Sequence, residues 1–530
     1  MDRRGSQKPT DWWCGLQGEP TVGRIPALFA KPRSLRHHFE NLTAFEGTKM
    51  RCLTFTAAIL AVLFSCAGVT AARTSELIPR TVVNQHGLSR PWFTQVEMDR
   101  HRSRVAHLTL DDGTLFIQTD RAMIQAIDAE TGRSLWANQV GNPNSPSLMP
   151  GVNEDLVAVV NGSTLFILSR HTGKLLWKHQ VADAPGGGAA LSQQWAYVPM
   201  VNGKAVAYRL EPKEKVEIGD NEEGEKEDLT PEEKEKKEIE RRKSFRLKPN
   251  RTDALTFQSY GRAFVQPVIV MENESEEFVA WATDRGFLFV GRIDRRDPKT
   301  FAPQYHLTTD KAIVSKPTVA GPDPDLGGRS GVIYVTSRDG FVRALLANDG
   351  AILWRFSTGV PITKSPIKIG RQVFVVTQLN EMYCLDAKNG AQKWQTPNIA
   401  DFLAASKDRV YAADTTGKIA VLDRSHGVRV DKVPLANFAF KMANSETDRL
   451  YFVSESGLVQ CLRETELTEP IRHTDPKVAK AKKAVTKEEN QKPANSKPQR
   501  EQNPFGGEDT EKANSSRGIE SEADGNPFGD

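Results

Sequence analysis

The chain has 530 residues, with 71 Lys and Arg against 67 Asp and Glu, for a formal charge of +4. Both signs are intermixed, so there is no broad electrostatic footprint for nucleic acid, and DNA and RNA are not expected partners. Of the five cysteines, Cys14, Cys52 and Cys66 precede the expected folded part and only Cys384 and Cys461 fall inside it, which excludes a disulfide framework, a CxxC redox motif and a Cys/His metal cluster.

Residues 1–49 carry Pro, Arg and His clusters with Trp12 and Trp13 but no helical or strand periodicity. They are expected to be a disordered or mis-assigned extension ahead of a true start at Met50. Arg51 then gives a basic flank, and no charge appears from Cys52 to Ala72 around the apolar centre TFTAAILAVLF. That layout over residues 50–72 is an export signal. Three fates stay open: cleavage at the small residues Thr70 and Ala72, retention as an anchor, since about 20 apolar residues span a bilayer, or lipidation at Cys66, against which stands the bulk of Phe64.

A repeat domain is expected over 94–470. In AIDAETGRSLW, residues 126–136, a strand ends at Asp128, Glu130, Thr131 and Gly132 turn, and a second strand is expected to finish on Trp136. Equivalent strand positions are Ala126, Ile167, Ala207, Val290, Ala344, Cys384, Val421 and Cys461, separated by 41, 40, 83, 54, 40, 37 and 40 residues. Eight units of about 40 residues, each with several short strands, mark a propeller. Each unit also carries an earlier apolar run, such as LFIQT at 115, LVAVV at 156 or VFVVT at 373, that suits a middle strand buried on both faces. Asn161–Gly162, Asn202–Gly203, Asp339–Gly340 and Asn389–Gly390 supply hairpin turns, and Gly132, Gly173, Gly350 and Gly390 recur where a side chain turns at a cost. An all-β, eight-bladed propeller of four-stranded antiparallel blades follows.

The 83-residue step holds an insertion, 211–249, built almost wholly of Glu, Lys, Asp and Arg, with a helix start at Thr230, Pro231 and Glu233. It reads as a solvated charged arm. Residues 471–530 have almost no large apolar side chain and are expected to be disordered. Within them Asn503, Pro504 and Phe505 recur as Asn526, Pro527 and Phe528, each time followed by Gly. An Asn-Pro turn displaying one Phe suits a recognition peptide, and chance duplication is the competing reading.

The strings AIDAETGRSLW, ILSRHTGKLLW, ALLANDGAILW and CLDAKNGAQKW resemble the tryptophan-docking motif of pyrroloquinoline-quinone-type propeller repeats. The resemblance implies that Trp136, Trp177, Trp354 and Trp394, on outer strands, lie against neighbouring blades. The units at Ala207, Val290, Val421 and Cys461 have no Trp at that offset, so their contacts must be built differently.

Two functions compete. A quinoprotein dehydrogenase of that class uses a Trp floor, an adjacent-cysteine disulfide, calcium and a catalytic aspartate, and this sequence has no adjacent cysteines. Asp128, Asp294, Asp386 and Asp423 fall where strands enter turns, a place where Asp commonly bonds backbone two residues on. His171 and His426 are turn residues, so no catalytic, cofactor-binding or metal residue is assigned. The other function is an exported, noncatalytic scaffold similar to outer-membrane assembly factors of the BamB type, a monomer in the periplasm or cell envelope that binds protein partners.

Overall fold

The computed structural model describes residues 77–210, 254–273, 276–294, 299–323, 330–434 and 440–473, with isolated positions 236, 237, 242, 247, 326, 328 and 438. The extension 1–49, the export segment 50–72 with Cys66, nearly all of the charged arm and its helix start, and the Asn-Pro-Phe motifs lie outside the described residues. Among the described residues no helix is long and apolar enough to cross a membrane.

The chain opens with a short helix α1 (Arg80–Gln85) and strand β1 (Leu88–Gln95). Blade 1 is β2 (Val105–Asp111), β3 (Thr114–Thr119), β4 (Met123–Asp128) and β5 (Ser134–Gln139). Blade 2 is β6 (Gly151–Val152), β7 (Leu156–Asn161), β8 (Thr164–Ser169) and β9 (Leu175–Gln180). Blade 3 is β10 (Ala190–Leu191), β11 (Trp195–Pro199), β12 (Lys204–Arg209) and β13 (Leu255–Gln258), with the charged arm between the last two. Blade 4 is β14 (Val268–Asn273), β15 (Glu276–Ala282), β16 (Phe287–Ile293) and β17 (Phe301–Thr308). Blade 5 is β18 (Thr318–Ala320), β19 (Val332–Thr336), β20 (Phe341–Leu346) and β21 (Ile352–Ser357). Blade 6 is β22 (Ile367–Ile369), β23 (Gln372–Val376), β24 (Glu381–Asp386) and β25 (Gln392–Pro397). Blade 7 is β26 (Ile399–Ala405), β27 (Arg409–Asp414), β28 (Ile419–Asp423) and β29 (Arg429–Val433). Blade 8 is β30 (Phe440–Lys441), β31 (Leu450–Val453) and β32 (Leu458–Glu464), and β1 is its fourth strand.

Every sheet is antiparallel, so the fold is an eight-bladed propeller. The second strands carry the apolar runs, and β7, β11, β19 and β31 are buried at every residue because a blade rests on each of their faces. The eight positions aligned in the sequence all fall on third strands. Strands β6, β10, β14, β18 and β22 touch one another in that order from blade to blade and so line the axis. Around blade 3 the backbones approach closely: a Cβ on Gly188 would stand 2.0 Å from the Met149 carbonyl oxygen. A Cβ on Gly186 would stand 1.9 Å from the Ala263 carbonyl oxygen and one on Gly187 3.0 Å from the Gln266 nitrogen, which accounts for the run Gly186–Gly187–Gly188.

Closure of the ring has two parts. Strand β1 pairs with β32 in the register Trp92 to Cys461, so the wheel begins at Leu88, ahead of the expected boundary at 94. Residues 465–473 then fold back across blade 8. The Arg449 side chain is fully buried there, donating to Glu130 of blade 1 at 3.1 Å, to Asp448 at 3.1 Å and to the Thr468 carbonyl at 2.9 Å. His473 donates its backbone N–H to the Glu446 carbonyl at 2.8 Å. A charge buried this deeply holds only while its partners stay in place.

Candidate functional site

Six third strands pair with their fourth strand in a common register: Ala126 with Trp136, Ile167 with Trp177, Val290 with Tyr305, Ala344 with Trp354, Cys384 with Trp394, and Val421 with Asp431. Each pair is followed by a bulge in the ladder. In blade 1 the bulge leaves Leu135 without a partner, and β5 continues to Gln139 instead of finishing on Trp136. A bulge sharpens the twist of an outer strand, and here it accompanies rings that reach the next blade.

Where the ring lands, a glycine is waiting. A Cβ on Gly173 would stand 2.4 Å from the Trp136 ring, one on Gly390 2.5 Å from Trp354, and one on Gly427 2.4 Å from Trp394. Each indole also donates its Nε1–H to a carbonyl of that neighbour: Trp136 to Arg170 at 2.6 Å, Trp354 to Ala387 at 2.9 Å and Trp394 to Arg424 at 3.0 Å. Two further residues make the same contact without having been recognisable in the repeat. Trp92 lies over Gly132 and donates to the Ala129 carbonyl at 3.1 Å, because the blade 8 position opposite Cys461 is supplied by the N-terminal strand. Tyr305 lies over Gly350 and donates to the Leu346 and Ala347 carbonyls at 3.0 Å.

Three junctions are built otherwise. Trp177 is only half-buried and meets no glycine among the described residues; it stacks on His179 at 5.6 Å beside Tyr208 of blade 3. Blade 3 offers Leu255 opposite Ala207, and its contact with blade 4 is made by Tyr197, Phe257, Trp281, Phe289 and Phe301. Blade 7 offers Asp431, which faces His86 Nδ1 at 2.7 Å.

The polar residues singled out in the repeat are occupied locally. Asp128 accepts the Glu130 and Thr131 N–H groups at 3.1 and 2.8 Å, Asp386 accepts Lys388 N–H at 2.9 Å, and Asp423 accepts His426 N–H at 2.7 Å. Asp294 directly follows β16 of blade 4, and His171 and His426 lie in turns. Cys384 and Cys461 are buried free thiols on third strands of different blades, and burial pushes Cys384 up to about 12.

The chemistry-bearing side chains that do converge lie on the axis, in a cavity of about 740 Å³. Its residues come from the first strands and the positions flanking them. Met149, Gln266, Lys316 and Ser365 each precede a proline and each line the cavity. A residue before proline is held extended, and proline leads into the edge strand without needing a donor. This recurrent X-Pro pair was the available sequence signal for the axis.

Gln266 spans three blades, donating Nε2–H to the Ala189 carbonyl at 2.7 Å while its Oε1 accepts from Lys316 Nζ at 2.7 Å. Burial brings the Lys316 amine down to about 8, with Asp111 acting in the other direction. His107 donates Nε2–H to the Ser147 carbonyl at 3.1 Å and burial holds its affinity for a second proton below the usual range. Glu446 is pushed up to about 7 by burial and by the Asp111 charge. The Asp111 carboxylate is itself paired with the Arg170 guanidinium.

This cavity does not fit a quinone cofactor. Among the described residues no Trp, Tyr or Phe lines it to make a stacking floor, both cysteines lie in blade cores, and no cluster of three metal-ligating side chains occurs.

The family described as outer membrane protein assembly factor BamB matches residues 89–286 and 298–467. Among solved structures, BamB from Moraxella catarrhalis aligns with a TM-score of 0.50 at 13% identity, over 72% of this chain and 98% of that one. At this identity the likeness is one of fold. Among curated proteins, the quinoprotein alcohol dehydrogenase PedH of Pseudomonas putida is 27% identical over 148 residues, 26% of this chain. The matched stretch spans about a quarter of the dehydrogenase, 24% of its length.

Proposed function

Because the chain belongs to the family of the outer membrane protein assembly factor BamB, we propose that it is an exported, noncatalytic propeller that binds protein partners as a scaffold in cell-envelope or outer-membrane protein assembly. The observation that carries this reading is the extent of the family match, which runs through every blade of the wheel and includes seven of its eight third-strand positions, Val290 falling between the two matched stretches. The local hydrogen bonds of Asp128, Asp386 and Asp423 support it, since acids engaged in their own turns have no role in proton transfer. Residues 50–72 would deliver the chain to the periplasm or envelope, by cleavage, anchoring or lipidation at Cys66. The Asn-Pro-Phe motifs at Asn503 and Asn526 would offer a separate peptide contact.

A pyrroloquinoline-quinone-dependent dehydrogenase is the second reading, favoured by the match to PedH. Titration with pyrroloquinoline quinone and calcium, followed by dye reduction with alcohols, separates the two. No stoichiometric binding and no dye reduction are expected, and turnover would overturn the scaffold. Proximity crosslinking in cells, with fractionation, should recover envelope proteins; a cytoplasmic location would overturn export.

A further inference from the structure

We propose that the axial cavity binds a small carboxylate with an apolar body, held through the Lys316 ammonium. This goes beyond the scaffold reading and does not depend on it.

An ammonium has three donors, and the Lys316 group uses one of them on the neutral oxygen of Gln266 at 2.7 Å, its hydrogen-bond partner among the described residues. The orientation of Gln266 is fixed, because its nitrogen donates to Ala189 at 2.7 Å and to the Pro150 carbonyl at 3.3 Å, which turns the oxygen toward Lys316. Of the other ionisable groups around the cavity, the Glu446 carboxyl is shifted toward its neutral form by burial, and the rest are engaged elsewhere. Asp111 is held by Arg170, Lys441 donates to the Gly417 carbonyl at 2.9 Å, and Lys364 is paired with Asp401. Among the described residues Lys316 therefore has no carboxylate in hydrogen-bond contact; Asp111 acts on it at longer range and is committed to Arg170, and the ammonium is enclosed where charge is costly.

The wall around it selects the rest of the ligand. Leu108, Leu110, Val152, Ile269, Val319 and Ile367 line the cavity half-buried, so their exposed parts face its interior. An enclosed ammonium held by a neutral oxygen beside an apolar wall matches one carboxylate on a hydrocarbon body better than a phosphate or a polyanion. The volume of about 740 Å³ lies inside the range of small-molecule sites, about 300–1,000 Å³.

The test is calorimetric titration of the full chain with octanoate, with 1-octanol and inorganic phosphate as probes carrying only one of the two features. Saturable one-to-one binding of octanoate is expected, at least tenfold tighter than either control. Lys316→Met should weaken it at least tenfold while leaving circular dichroism and the urea midpoint no lower than in the parent. A measurement that needs no variant is acetylation by acetic anhydride: octanoate should protect Lys316 selectively in the peptide mass map. Absence of saturable octanoate binding, equal binding of phosphate, undiminished binding by Lys316→Met, or unprotected Lys316 would each overturn the proposal.

Discussion

The rim of the wheel and its axis use polar groups in opposite ways. At the rim, each docked indole donates its one N–H to a neighbouring carbonyl and places its face on a glycine, so polar satisfaction and apolar burial come from the same side chain. On the axis, Lys316 and Glu446 are held in the ionisation-disfavouring interior with partners that only partly compensate. Rim groups thus stabilise the fold, whereas axial groups lower its stability in a way that conserves binding potential. Substitutions should therefore have opposite signs in the two regions.

The largest effect belongs to the glycine under a ring. Gly173→Val introduces a Cβ at 2.4 Å from Trp136 and keeps φ at +67°, so strain and overpacking add to about 3–5 kcal/mol. Gly113→Val is the control, with φ at +71° and open space around the new Cβ; it should cost only about 1–2 kcal/mol. Urea midpoints of the two variants measure the difference, and equal losses would show that backbone conformation, not the ring, decides the junction.

Removing rings comes next. Trp354→Ala should cost about 3–5 kcal/mol, the usual loss for a buried aromatic. Trp177→Ala, at a junction without a glycine and with a half-buried ring, should cost about 1–2 kcal/mol. Equal losses in thermal or urea unfolding would mean that the rim is uniform after all.

These two kinds of junction also explain what could be read in advance. The repeat specified third-strand positions and turn glycines because hairpin geometry is local and recurs every blade. Tyr305 escaped because its hairpin is longer, placing it fifteen residues after Val290 where Trp136 follows Ala126 by ten. Trp92 escaped for a different reason: its partner Cys461 is nearly the whole ring away in sequence, and pairing of that kind has no local signature. Trp177 had the motif and lies against Tyr208 of blade 3, but among the described residues no glycine sits under its ring, and in the sequence of blade 3 the charged arm stands where other blades have the turn glycine. The axis was least legible. Its residues come from seven of the eight blades, so Gln266, Lys316 and Glu446 belong to no single local motif, and only the X-Pro pairs mark where inner strands start.

Lys316→Met should change the sign of the effect. Its amine, at about 8 in the fold, lies below the ordinary lysine value, so the folded state is penalised at neutral pH and the penalty fades as pH rises from about 8 to about 10.5. Methionine removes the penalty and leaves the Gln266 oxygen to water in the cavity, for a gain of about 1–2 kcal/mol at pH 7 that is absent at pH 10.5. A loss at pH 7 in urea unfolding would place Lys316 with the rim, as a structural cation.

Glu446→Gln should give the smallest change and the most diagnostic pH profile. The carboxyl titrates near 7 in the fold, above its unfolded value, so the folded chain binds the extra proton and stability declines as pH rises from about 4.5 to about 7. Glutamine cannot ionise, and its carbonyl can still accept the Asp112 N–H that the carboxylate accepts. The variant should therefore match the parent at pH 4 and exceed it by about 1 kcal/mol at pH 8, less than the full shift implies because Arg170 partly offsets the charge. Urea midpoints at the two pH values give the test. A variant weaker than the parent at pH 8 would mean that the ionised carboxylate holds the closing segment beside His473, and the axis would then owe its charges to ring closure.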